Sequence, residues 1–372
     1  MNTLPDDALL AIFKSYLDEY SYEGDKKGRE DAWRLLVHVC RRWRSIVFGL
    51  PHHLDLELVC TTRTPARDTL DVWPGLPLII DCRIAFRIRR ADNITAVLER
   101  SDRVREIFLA NVGRSDWEIY MAAMQQPFPE LVYLRLGPNI GAVRVVPDSF
   151  LGGFAPRLED LRLQNIPFPG LPKLLLSATH LVNLSLYQVS YSHIFSEEIV
   201  AALSTLISLE SLKLGFKSSR FFPERATRHL PLSTRTVLPV LTLFCFEGVS
   251  GYLEDFVSRI DTPRLIELFI TFFDDVAFDT SQLNQFISRT RMLRPLEKAH
   301  MTFWDEDAYV KFLSQSSGFW PRRSQSGTLT SMPWVGTASI FCGAGLYLVP
   351  APPFYVGGPL HLQAPQMATR YG

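Results

Sequence analysis

Leu181–Val189, L-V-N-L-S-L-Y-Q-V, sets its apolar residues at i, i+3, i+5 and i+8. An amphipathic helix spaces them three and four apart, and a half-buried strand alternates them. This spacing suits a turn, then a short strand burying Leu184 and Leu186, then a bend that brings Val189 back inward. The pattern occurs at Val104, Ile107, Leu109 and Val112, and again at Leu158, Leu161, Leu163 and Ile166. It occurs without its last apolar position at Leu131, Leu134 and Leu136, and slightly altered at Leu209, Leu212, Leu214 and Phe216. Leu241, Phe244, Phe246 and Val249 follow, then Leu265, Leu268, Ile270 and Phe273, with a weak candidate beginning at Leu296.

Successive starts lie 27, 27, 23, 28, 32, 24 and 31 residues apart. A period of roughly 20–29 residues with this consensus is that of a leucine-rich repeat. The segments between the strands carry helical spacing: Trp117, Tyr120, Met121 and Met124; Ile199, Leu203 and Leu206 behind a Ser196 N-cap; Tyr252, Phe256 and Ile260; Leu283, Phe286 and Ile287. The fold class expected is therefore α/β, a solenoid with a curved parallel sheet inside and helices outside. The repeat array is assigned to residues 104–314, and residues 51–103 to a connector with the first strands. His53–Cys60 alternates like a strand, Thr61–Pro77 reads as connector, Leu78–Arg83 as a strand and Asn93–Glu99 as a short helix.

In each repeat strand the leucines point into the core, and their neighbours stand on the opposite, concave face. That face should carry Phe108, Tyr133, Arg135, Arg162, Gln164, Asn183, Ser185, Tyr187, Lys213 and Phe269, along with Glu106, Asp160, Ser211 and Glu267. Tyr, Phe and Arg on one surface are the residue types that dominate interface energetics. A target-binding face and a merely solvated one both fit. Ser218–Val237, rich in arginine, lengthens one repeat and reads as a loop, either on the binding rim or simply variable. Arg83, Arg87, Arg89 and Arg90 form a basic spot with one aromatic, Phe86, and read as a solvated rim.

Residues 1–50 have a different texture. Asp6 and Asp7 favour the first turn of a helix, with Leu9, Phe13, Tyr16 and Leu17 at helical spacing. Asp18–Asp31 is charged, carries Gly24 and Gly28, and reads as a solvated loop. A second helix is expected from Asp31 to Phe48, with Leu36, Cys40, Trp43 and Val47 on one stripe and Pro51 as the stop. So few residues make a marginal core, which needs the following domain or a partner.

Leu4–Phe13, L-P-D-D-A-L-L-A-I-F, followed by Trp33–Arg44, W-R-L-L-V-H-V-C-R-R-W-R, resembles an F-box. Leu4-Pro5, Ile12-Phe13, Val39-Cys40 and Trp43 match the family's characteristic positions. The long Asp18–Asp31 insert, together with Pro147–Gly153, Pro172–Thr179 and Ile260–Pro263, is similar to the F-box-like family of mushroom-forming fungi. The resemblance implies docking on the Skp adaptor of a cullin–RING ubiquitin ligase through Leu4, Pro5, Ile12, Phe13, Cys40 and Trp43. It also implies capture of an unknown target protein by the repeats. The alternative is an interaction scaffold with no link to ubiquitin ligation, in which the helices merely cap the solenoid.

The remaining observations narrow the function further. The 39 basic and 39 acidic residues cancel, so no global field points to nucleic acid or to an anionic membrane. Five scattered cysteines without a C-x-x-C pair suit a reducing compartment, cytoplasmic or nuclear. The N-terminus does not read as a secretory signal. His52 and His53 lack ligand-spaced cysteine partners, so no metal and no cofactor is expected. His38 and Cys40 are two apart on a predicted helix and would face apart. No nucleotide-binding or hydrolase motif occurs, and the expectation is a protein that is not an enzyme. Residues 315–372, with Arg322, Arg323 and Arg370 as their only charges, break the pattern and read as a disordered or divergent tail.

Overall fold

The structure, a computed structural model, describes residues 4–20, 26–73, 75–82, 91–138, 144–189, 197–216, 235–273, 281–293, 298–304, 307–313 and 336–341. It is a mixed α/β protein organised on one large sheet. The N-terminal part is helical: α1 (Asp6–Asp18), α2 (Lys26–Val39) and α3 (Arg41–Gly49). Strands and helices then alternate: β1 (Leu58–Cys60), α4 (Ala66–Val72), β2 (Leu78–Cys82), α5 (Ala91–Leu98), β3 (Val104–Val112), α6 (Arg114–Ala123), β4 (Tyr133–Pro138), a 3-10 turn (Phe150–Gly153), β5 (Asp160–Gln164), α7 (Leu171–Ser177), β6 (Asn183–Val189), α8 (Glu197–Leu203) and β7 (Ser211–Phe216). The chain continues with β8 (Thr236–Val237), β9 (Leu243–Gly248), α9 (Ser250–Arg259), β10 (Ile260–Asp261), β11 (Glu267–Phe273), α10 (Ser281–Arg289), β12 (Lys298–Trp304), β13 (Asp307–Leu313) and β14 (Gly336–Phe341).

Nine of the described strands pair in parallel and in chain order, β1-β2-β3-β4-β5-β6-β7-β9-β11, while β8 and β10 form a separate two-stranded ladder. The register aligns equivalent residues across the sheet, as in Ile107, Leu134, Leu161, Leu184, Leu212, Phe244 and Leu268. All seven are buried. Helices of seven residues such as α7 and α8 are too short to persist alone in water. Leu174, Leu175, Ile199 and Leu203 hold them against the sheet, at roughly 1.5–3 kcal/mol for each buried side chain.

The bend expected after each strand has a backbone cause. Asn111, Asn165 and Gln188 occupy equivalent places with φ of 53, 57 and 54°. A left-handed residue there reverses the pleat and brings the next residue inward, as buried Val112 and Ile166 show. Counted from Leu131 that place in β4 falls on Pro138, where a proline ring forbids positive φ; the ladder sets Pro138 opposite Val112 and leaves Asn111 as the extra residue. The apolar position beyond Pro138 is also missing from the pattern.

Five expectations need correction. The helix expected over Asp31–Phe48 is two, because Cys40 is extended and its sulfur accepts the Trp43 N–H at 3.5 Å, capping α3. Helix α2 begins at Lys26, inside the stretch read as a loop. Its charges are paired along the helix, with Lys27 and Arg34 both on Glu30. Within His53–Cys60 only Leu58–Cys60 is a strand, since Pro51–Asp55 is a turn that buries Leu54, with Leu56 buried just beyond it. The connector Thr61–Pro77 contains α4, whose two buried residues, Ala66 and Leu70, leave almost no periodicity to read.

Finally, the parallel run ends at β11: β13 pairs with it antiparallel, and β12 and β14 follow antiparallel. The weak unit at Leu296 therefore does not continue the parallel layers, and Leu296 itself lies outside the described residues. Also outside them are Ser196, the basic spot at 83–90, most of the loop at 218–237, and the tail except 336–341.

Candidate functional site

Two surfaces carry the residues singled out from the sequence. On the helices, Leu9, Phe13, Leu17, Trp33, Leu36, Val37 and Val47 close the interior. Phe13 is only 1 % exposed and packs against Trp43, the rings tilted at 57° with centroids 4.7 Å apart. Phe13 is therefore a core residue and offers no surface to a partner, contrary to expectation. Trp43 is half-buried against it.

Leu4, Pro5, Ile12 and Cys40 do stand in solvent. Leu4 is 54 % and Ile12 52 % exposed. Arg42 holds the chain start in place by bonding the Leu4 carbonyl and, at 2.6 Å, Asp6 Oδ1. Two further residues are exposed, Leu35 at 63 % and Val39 at 58 %; the sequence reading matched Val39 to a family position without making it a contact and passed over Leu35. They lie four apart on one face of α2. The signal was present: both fall off the stripe formed by Ala32, Trp33, Leu36 and Val37.

The second surface is the face of the sheet turned away from the leucines. Parallel sheets are ordinarily covered on both faces. Here the leucine rows are buried, while the intervening rows stay at least partly open in β3 to β7 apart from Asp160 and Gly215. All ten expected residues lie on this open face: Phe108, Tyr133, Arg135, Arg162, Gln164, Asn183, Ser185, Tyr187, Lys213 and Phe269.

Four of the ten touch. Phe108 and Tyr133 stack at 6.3 Å, with Arg135 over the Phe108 ring at 4.8 Å and Arg162 over the Tyr133 ring at 5.5 Å. Arg162 also forms a two-pronged bond with Asp160, 2.7 Å on each arm, which raises its pKa further. Tyr187 reaches from β6 across β7 to Glu247 of β9, 3.3 Å from hydroxyl to carboxylate. It crosses at Gly215, where a Cβ would sit 2.6 Å from the ring. Burial, then the charge of Glu247, pushes the Tyr187 pKa up. Phe269, in register with Cys245, lies beyond Lys213 on the same row. The Cys245 thiol is pushed up to about 11 by burial, against the pull of Lys213.

The helices meet the sheet near its first strands. Lys26 bonds Glu106 and lies 3.4 Å from Glu57, and the Trp33 indole N–H donates to the Glu57 carbonyl at 3.1 Å. Burial raises the Glu57 pKa more than Lys26 lowers it.

Among the described residues no group of three or more His, Cys, Asp or Glu side chains forms a metal-binding arrangement, and no helix is long and apolar enough to cross a membrane. No protein-family model matches the chain, and no curated protein matches it in a sequence search.

Proposed function

We propose that this chain is an F-box protein: the substrate-recognition adaptor of a Skp–cullin–F-box ubiquitin ligase, its helices docking the Skp adaptor and a leucine-rich-repeat solenoid holding the target. The single observation that carries this reading is the set Leu4, Ile12, Leu35 and Val39, left in solvent by helices whose interior is already closed. A helix pair serving only as an end cap needs a polar outer face, and four exposed apolar side chains on these helices depart from that. Covering them yields roughly 1.5–3 kcal/mol each before the costs of association. The one-strand-per-layer parallel order supports the repeat assignment, and the Phe108–Tyr133–Arg135–Arg162 group supports a target-binding face.

Co-purification with recombinant Skp adaptor tests the docking role. Ile12→Asp/Val39→Asp is the right variant, because both side chains are exposed and the fold should survive; circular dichroism checks this. Capture should fall at least about a hundredfold, the loss of roughly 3 kcal/mol of apolar contact. Equal capture of wild type and variant would sink the reading in favour of a scaffold without ubiquitin machinery.

A further inference from the structure

Charge on the open sheet face is unevenly matched. Near the helices Glu57 and Glu106 are met by Lys26, with Arg105 3.7 Å from Glu57. In the centre one register row runs Arg135, Arg162, Ser185, Lys213 over β4 to β7. Arg162 is satisfied by Asp160. Arg135 rests on Phe108, and neither it nor Lys213 meets a carboxylate among the described residues. Between them stand Arg162, held down to Asp160, and Ser185, whose short side chain leaves the row low beside Lys213. Tyr187, 39 % exposed, follows two residues beyond Ser185 on β6, its ring braced over Gly215.

We propose that this strip takes an extended acidic peptide segment of the target, with carboxylates on Arg135 and Lys213 and an apolar side chain on Tyr187. The inference rests on the reading of the sheet face as the target-binding surface. Three strand spacings separate Arg135 from Lys213, about 14 Å, and four residues of extended chain span about the same distance. Residues four apart in an extended chain point to the same side. The segment therefore carries Glu or Asp at i and i+4. Asp160 on Arg162 shows the face already accommodating a carboxylate in two-pronged geometry.

The test is fluorescence anisotropy of the full chain with labelled peptides carrying two glutamates four apart. Controls carry the glutamates three apart, glutamines, or phosphoserines. Glutamine should weaken binding about tenfold, as should Arg135→Glu and Lys213→Glu, and salt should weaken it by screening. Arg135→Gln gives a milder loss if reversal disturbs folding. Failure of the glutamate peptide to bind, or tighter binding of the phosphoserine one, overturns the proposal. A random displayed library separates it from the reading beneath it. Binders without acids that are lost on Phe108→Ala or Tyr187→Ala refute the acidic preference and leave the face standing. Binders indifferent to every face variant refute both.

Discussion

On α2, Leu35 and Val39 stand in water with no polar group of their own; on β4 and β5, Tyr133, Arg135 and Arg162 are exposed only as members of a stacked and charged group. The first surface is apolar and undirected. It gains from any partner that excludes water, so its shape alone selects. The second holds donors and rings in fixed places, and a partner that leaves them unmatched is penalised. One protein thus presents a surface suited to a constant companion and another suited to a discriminated one.

The sharpest way to break this contrast is to compare neighbours on α1. Phe13→Ala should cost about 3–5 kcal/mol in urea denaturation, as large buried rings do. Ile12→Ala should cost less than about 0.5 kcal/mol, yet weaken adaptor capture. If the two variants behave alike in denaturation, the division between core and docking face is wrong.

A second effect comes from two desolvated thiols, Cys60 among the buried leucine rows and Cys245 on the open face. Burial pushes the Cys60 thiol up to about 12, as it pushes Cys245 to about 11. Unfolding restores their ordinary value of 9.0, so above that pH the unfolded chain holds fewer protons. Stability is full below about pH 9 and falls as pH rises toward the folded values, by up to about 1.4 kcal/mol per pH unit for each thiol. Cys60→Ala should flatten that decline in the urea midpoint; an unchanged slope would deny the burial.

Gly215→Ala should cost about 1 kcal/mol by driving Tyr187 off Glu247. The same change in a Tyr187→Ala background should cost nearly nothing, so a double-mutant cycle isolates the brace. Smallest is Glu57→Gln. Because burial raises the Glu57 pKa, its charge costs stability at neutral pH, and removal should change it by less than about 1 kcal/mol, towards greater stability. A clear loss would mean that the contact with Lys26 outweighs burial.

Much of the sheet could be read from the chain because a parallel strand repeats its leucines with a spacing nothing else uses. Leu184 and Leu186 declare their layer, and the inward-pointing Ile166 declares the bend before it. The outward rows followed by alternation, which is why all ten face residues lie where expected. What stayed hidden was settled by tertiary contact. Phe13 falls on the Leu9–Leu17 stripe and Ile12 off it, yet the resemblance treated both as contacts; the closing of Trp43 over Phe13 takes it out of reach. The break at Cys40 depends on a thiol capping three residues on, an unusual choice of cap. Tyr187 reaching Glu247, sixty residues later, depends on the absence of a side chain at Gly215. No local pattern marks that.

The apolar interior runs without interruption from Leu9 to Leu293, and Lys26 and Trp33 fasten the helices to the strand ends. Among the described residues one continuous core joins the two exposed surfaces. Whatever sits on the helices is held at a set angle and reach from whatever sits on the sheet, like two jaws of one bracket. On the reading proposed above, loosening the fastening by Lys26→Ala would change the angle between the two surfaces while leaving the residues that line them in place.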